Sequence, residues 1–181
     1  MFQDETLLIV GGTARNVGKT EFICRVIGKI SSHHTVVALK VSAIFPDEGI
    51  YHGDHSGEQE NQCLFEETRF DTAKDTSRML KAGAERVFYL RSEDSGIFEA
   101  FTQFRRQLPA GTAIVCESNS LAEHVKPSLL VVVKKKEGTI KPRAEARLKQ
   151  ADLVVASDGS SGFIEVDHIH YNSTKHWHII Y

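Results

Sequence analysis

"TLLIVGGTARNVGKTEFICRVIGKI", residues Thr6 to Ile30, decides the fold. Leu7 to Val10 is a short apolar run ended by glycines, the pattern of a strand buried on both faces of a parallel sheet. Past the turn, Phe22, Ile23, Val26, Ile27 and Ile30 recur at helical spacing, which predicts a helix from Thr20 to about Ser31. Strand, glycine turn and amphipathic helix stand here in the order that opens an α/β domain.

The rest of the chain repeats the alternation. "HTVVALKVS" (34–42) reads as the second strand, and an irregular stretch from Ala43 to Phe70 follows. "DTAKDTSRMLKAGAERVFYL" predicts a helix from Asp71 or Thr72, a stop at Gly83, and a strand through Val87 to Leu90. Ile97, Phe101, Phe104 and Leu108 stripe one face of a further helix. "TAIVCES" (112–118), "SLLVVVKK" (128–135) and "DLVVAS" (152–157) are strands, with a helix over Ala144 to Gln150 before the last. Alternating strands and helices imply right-handed crossovers and a parallel sheet covered on both sides. The tail, "GFIEVDHIHYNSTKHWHIIY", alternates with period two around Asn172-Ser173-Thr174 and predicts a closing β-hairpin.

The 181 residues suit one domain, and 41% apolar with 25% charged residues is the composition of an ordinary globular chain. Basic residues number 22 against 24 acidic, so no broad positive field exists to hold a nucleic acid backbone. Cys24, Cys63 and Cys116 are scattered and lack a Cys-x-x-Cys pair, which fits reduced thiols. The opening "MFQDETLLIVGG" has no basic n-region or long apolar segment, and no stretch has the length of a membrane span. A cytoplasmic protein bound to neither membrane nor nucleic acid is expected.

A turn that holds phosphates must aim backbone N–H groups at the anion, and the helix behind it adds its positive end. Glycine is needed where a Cβ would block that approach. Gly18 stands in that place, Lys19 can reach terminal phosphates, and the Thr20 hydroxyl can ligate Mg²⁺. The usual pattern, G-x-x-x-x-G-K-[ST], puts glycine where this chain has Thr13, with Gly11 and Gly12 just upstream. A helix that merely starts after a tight turn is the plainer alternative for Gly-Lys-Thr alone.

"GTARNVGKT" resembles the phosphate loop GTxxxVGKT of dethiobiotin synthetases and their relatives, in which threonine takes the departing position. Lys40 in "VVALKVS" is placed like the lysine ending their second strand, which contacts phosphate and carbamate oxygens. "KDTSRMLKAGAERVFYL" (74–90) resembles the helix, Ala-Gly-Ala and strand of the molybdopterin-guanine dinucleotide biosynthesis B proteins (MobB). "IVCES" resembles the strand ending in glutamate that both groups use near Mg²⁺, and "KPSLLVVVKK" the strand that follows it in MobB. The resemblance implies a three-layer P-loop NTPase with a mostly parallel central sheet, binding GTP or ATP with Mg²⁺. It also implies a molybdenum-cofactor biosynthesis partner protein and a homodimer.

Roles follow from this likeness and from charge. The nucleotide-holding set is Gly12, Thr13, Ala14, Arg15, Asn16, Val17, Gly18, Lys19, Thr20 and Glu21, with Asp158 toward the base. Thr20, Asp75 and Glu117 offer the hard oxygens that Mg²⁺ takes. For Asp75 the plainer alternative is a first-turn acid favoured by the helix dipole. Lys19 and Lys40 would spread positive charge over the phosphate being transferred. Arg15 is either a further phosphate contact or an exposed loop arginine, and Asp158 either accepts from a base edge or terminates a strand. The guanine-reading Asn-Lys-x-Asp is missing after "LLVVV", so GTP and ATP stay open.

Three function classes remain at this point. The leading one is Mg²⁺-dependent nucleotide binding and slow hydrolysis in a MobB-like accessory role, slow because no glutamine or arginine finger is evident. A dethiobiotin-synthetase-like ATP-dependent ligase is second, although that family continues Glu-Gly-Ala-Gly where this chain has Glu117-Ser118-Asn119-Ser120. The third is nucleotide-controlled metal delivery. A three-residue loop at 172–174 would set His170 opposite His176 and His168 opposite His178, with all four imidazoles on one face. A solvated polar hairpin face is the plainer alternative. "PDEGIYHGDH" adds Asp47, Glu48, His52, Asp54 and His55, which read as a metal cluster or as an acidic lid.

Overall fold

The computed structural model describes residues 2–44, 64–136, 142–159 and 162–181. Strands β1 (Phe2–Gly12), β2 (Val36–Ile44), β3 (Leu64–Glu67), β4 (Arg86–Glu93), β5 (Ala113–Glu117), β6 (Val125–Lys135) and β7 (Leu153–Ser157) form one sheet in the order β3-β4-β2-β5-β1-β6-β7. All neighbours pair in parallel except β3, which runs antiparallel to β4. The interior strand β1 thus lies between β5 and β6, both reached late in the chain. Open α/β sheets bind ligands outside the carboxyl ends of their strands, where the winding reverses.

Period-two alternation sends side chains to both faces, and both are covered. Leu8 and Val10 of β1, with Ala38, Val115, Val131 and Val133, pack under α1 (Lys19–Ile30) and α2 (Asp75–Lys81). Leu7 and Ile9, with Leu39, Phe88, Ile114 and Cys116, pack under α3 (Ile97–Arg106). Burying each of these aliphatic side chains contributes about 1.5–3 kcal/mol, enough to fix the register of every central strand. Helix α4 (Pro142–Gln150) docks through Arg147, whose guanidinium donates to the Ala122 carbonyl at 3.0 Å and pairs with Glu123. The expected α/β architecture with a mostly parallel sheet and a C-terminal hairpin is what the chain forms. Among the described residues no helix is long and apolar enough to cross a membrane.

Three expectations need correction. The stretch 43–70 is not wholly irregular, because β2 runs on to Ile44 and Leu64–Glu67 makes an edge strand. Glu66 and Arg86 clamp that edge with two hydrogen bonds of 2.7 Å. Asp47, Glu48, His52, Asp54, His55 and Cys63 lie outside the described residues. Helix α2 begins at Asp75 rather than at Asp71 or Thr72, since the Thr72 hydroxyl bonds Ser77 Oγ and the Lys74 amide, holding 72–74 in a bend.

The third correction concerns the tail. Ile164–His168 is a 3-10 turn despite its alternating pattern, and the hairpin is β8 (Ile169–Asn172) with β9 (His176–Ile179). Asn172 Oδ1 accepts from the amides of Thr174 and Lys175, which sets the turn over 173–175. His170 therefore faces His178, and His176 faces Asn172. His168 stands in the 3-10 turn with Nδ1 2.9 Å from the Ile180 carbonyl. The four imidazoles do not gather: only His170 and His178 approach, with ring centroids 6.0 Å apart. Among the described residues no group of three or more histidine, cysteine or acidic side chains could hold a metal ion.

Candidate functional site

The first turn lies at the carboxyl end of β1. Gly12 ends that strand and the chain bends through 13–18 into α1. Two left-handed residues make the bend, Asn16 at φ 55° and Gly18 at φ 93°. Space favours glycine at 18 as well, because a Cβ there would lie 3.0 Å from Phe163 Cζ and 3.4 Å from Ser157 Oγ, so the Phe163 ring would have to give way slightly. Gly18→Ala is expected to destabilise the protein by about 1–2 kcal/mol from the left-handed backbone alone. Chemical denaturation reads this, and an unchanged midpoint would show that the bend is not held as described.

Gly12 serves differently. A Cβ on it would meet Lys19 Cδ and Val17 Cγ2 at 2.8 Å, so its bare backbone is what lets the Lys19 stem lie over the strand end. The Lys19 ammonium reaches back to the Ala14 carbonyl at 3.4 Å, arching across the bend. The Gly12 and Thr13 amides are engaged within the protein, donating to Asn119 Oδ1 at 2.7 Å and the Val133 carbonyl at 3.0 Å. An anion in the bend would therefore meet backbone from Ala14 onward. Thr13 is not a glycine because its hydroxyl is used: it accepts from the Lys135 amide at 3.1 Å and ties the loop to β6.

Strand register brings the charged residues beside this bend. Glu117 ends β5 between Val10 of β1 and Lys40 of β2. Its carboxylate is buried, and Oε2 accepts from the Thr20 hydroxyl at 2.8 Å. Asp75, the first residue of α2, is bound by the Lys40 ammonium, which also lies 3.9 Å from Glu117 Oε1. Burial pushes the Asp75 pKa up, but the Lys40 hydrogen bond and charge, with help from Thr20 and Arg78, leave it below the usual aspartate value. Burial depresses the Lys19 pKa, Glu117 and Asp75 draw it back up, and Lys40 pushes it down, with a net lowering. Lys19 is thus a partly desolvated cation whose protein counter-charges do not fully compensate it.

The remaining expected residues sit around this centre. Val17 is buried in the core, and Arg15 and Asn16 are exposed. Glu21 faces away into ion pairs with Arg25 at 2.9 Å and Arg78 at 2.8 Å, linking α1 to α2. Asp158, just past β7, accepts from Lys136 at 3.2 Å, and its neighbour Ser157 borders Gly18. Sequence reasoning did not single out Asn119, whose side chain clasps the Gly12 amide, nor Phe163, which stacks edge-on with Phe22 beneath the bend. The position of Asn119 two residues past a strand-ending glutamate was the only signal for it.

Two carboxylates and a hydroxyl at one point are hard-oxygen donors of the kind Mg²⁺ takes while keeping several waters. Thr20, Asp75 and Glu117 fit such an ion chemically. A cavity of about 730 Å³ lies elsewhere, at the amino ends of β1 and β6 beside the hairpin turn, lined by Gln3, Glu5, Lys126, Asp152 and His176 among others. Size alone does not make it the reactive centre, because the glycine bend and the Lys19, Lys40, Asp75 and Glu117 group all lie at the opposite sheet edge. Comparison with protein-family models, curated proteins and solved structures gives no match, so assignment rests on this geometry and on the sequence.

Proposed function

We propose that the chain binds a nucleoside triphosphate, GTP or ATP, with Mg²⁺ and hydrolyses it slowly as a P-loop NTPase. One observation carries the reading: a left-handed glycine bend at a strand end delivers Lys19 and Thr20 to the same point at which Lys40, Asp75 and Glu117 meet. Lys19, partly desolvated where it stands, gains a close counter-charge from a phosphate anion. Lys40 supplies a second cation on the adjacent strand. When bound, Mg²⁺ would neutralise phosphate charge from Thr20, Asp75 and Glu117. Turnover is slow in this reading because the sequence shows no evident glutamine or arginine finger, which leaves charge stabilisation to two lysines.

A MobB-like accessory role in molybdenum cofactor biosynthesis is the cellular function we propose, supported by the likeness of residues 74–90 and of the phosphate loop. Purified protein heated with ATP or GTP and Mg²⁺ should unfold at a higher temperature than without, since a ligand bound only by the folded state stabilises it by mass action. The nucleotide giving the larger shift is the preferred one, and phosphate release measures turnover. No shift with either nucleotide at millimolar concentration would defeat the proposal. Product formation from diaminopelargonate would replace the accessory role with the ligase reading, and enhanced turnover with molybdopterin present would support MobB-like action.

A further inference from the structure

The Lys40 ammonium stands among the carboxylates that would hold a metal ion. It donates to Asp75 Oδ2 and lies 3.9 Å from Glu117 Oε1, while the Thr20 hydroxyl binds the other Glu117 oxygen at 2.8 Å. The side chain of Lys40 is 25% exposed and that of Glu117 only 8%, so water screens this contact poorly. Two lysines, Lys19 and Lys40, balance two carboxylates, Asp75 and Glu117, and the group is formally neutral.

We infer that Lys40 is a built-in stand-in for the divalent cation. Its ammonium holds the Asp75 and Glu117 oxygens when no nucleotide is bound, and must leave them when metal enters. This rests on the nucleotide reading above and deepens it to the order of binding. Metal entering alone would expel an ammonium into solvent and leave one surplus positive charge in a half-buried group. Metal entering with a triphosphate gives the expelled ammonium a new partner in the phosphate oxygens. The two ligands therefore strengthen one another, and metal alone binds feebly.

Coupling of this kind spans about 5–150-fold in proteins, and the upper part of that range is expected here. The probe is Mn²⁺, whose free-ion spin resonance signal reports binding with and without a non-hydrolysable ATP or GTP analogue. In Lys40→Met the oxygens have no resident ammonium, so Mn²⁺ alone should bind about tenfold more tightly and the coupling should shrink below about fivefold. Added Mn²⁺ should also raise the thermal midpoint of this variant more than that of the wild type. Lys40→Gln should behave alike, which guards against one variant folding badly.

Unchanged Mn²⁺ affinity in both variants, with the wild type still binding the analogue, would overturn the stand-in role and leave the nucleotide reading untouched. Failure of the wild type to bind any analogue would overturn the nucleotide reading. A tighter Mn²⁺ site in Lys40→Met would then still support exchange between ammonium and metal.

Discussion

Lys19→Met is expected to weaken nucleoside triphosphate binding by about 100-fold while leaving the fold at least as stable as the wild type. A hydrogen bond to a charged group contributes about 1.5–3 kcal/mol, and 1.4 kcal/mol is tenfold in affinity, so the upper end of that range gives the figure. The stability half follows from charge. Burial lowers the Lys19 pKa below its ordinary 10.5, so the folded protein holds this proton less tightly than the unfolded chain does. The ammonium therefore opposes folding at neutral pH, and that opposition fades as pH rises through the folded pKa toward 10.5. Methionine keeps the stem that lies over Gly12 and removes the charge. Unfolding measured from pH 7 upward should show the wild type gaining stability relative to Lys19→Met. Titration of a fluorescent nucleotide checks affinity, and a loss below about threefold would mean that the ammonium does not face the phosphates.

The central sheet was legible because its strands are short apolar runs with sharp ends. Leu7 to Val10, Ile114 to Cys116 and Leu129 to Val133 can be satisfied only by burial on two faces. The tail was misread because alternation fixes which residues share a face but not where the chain turns. Asn172 settled the turn through its own side chain, and the pairing moved with it. Nor could the sequence reveal why Ile164–His168 leaves the strand conformation. The Lys29 ammonium, on α1, gathers the carbonyls of Val166, Asp167 and Ile169 at 3.1, 2.7 and 2.9 Å, a contact spanning most of the chain. Tertiary pairing overrode a local pattern.

The site shows the same division. Gly18, Lys19 and Thr20 could be grouped because they share one turn, and Glu117 because it ends β5 on the side where such sheets bind ligands, whereas Lys40 stands in the middle of β2 and is brought beside Glu117 by strand register. Glu21 was grouped with them by adjacency, yet a helix turns each successive residue by about 100 degrees, and its carboxylate meets Arg25 and Arg78 instead. Asn119 was passed over since its partner, the Gly12 amide, lies 107 residues upstream. Its contact matters for the bend: a side-chain carbonyl holds the last strand amide, so the chain leaves β1 at a fixed point.

Trp177→Ala should destabilise the protein by about 3–5 kcal/mol, as is usual for removing a fully buried large aromatic. The indole is 2% exposed, packs on Tyr171 at a centroid distance of 5.0 Å, and donates through Nε1 to the Thr6 carbonyl at 2.7 Å. Thr6 immediately precedes the buried run of β1, so this bond joins the last hairpin to the first strand. Ser128 donates to the Trp177 carbonyl at 3.0 Å, and Tyr171 to that of Gly111 at 2.7 Å. The hairpin is therefore part of the layer that covers the sheet beside α1. For a chain of this size each kcal/mol lowers the midpoint by about 2–4 °C, so a fall of roughly 6–20 °C is expected. Trp177→Phe separates the two contributions: it keeps most of the packing, loses the bond to Thr6, and should cost about 1–2 kcal/mol. Urea unfolding of both variants decides the matter. A loss under about 1 kcal/mol for Trp177→Ala would mean that the hairpin rests on the sheet without supporting it.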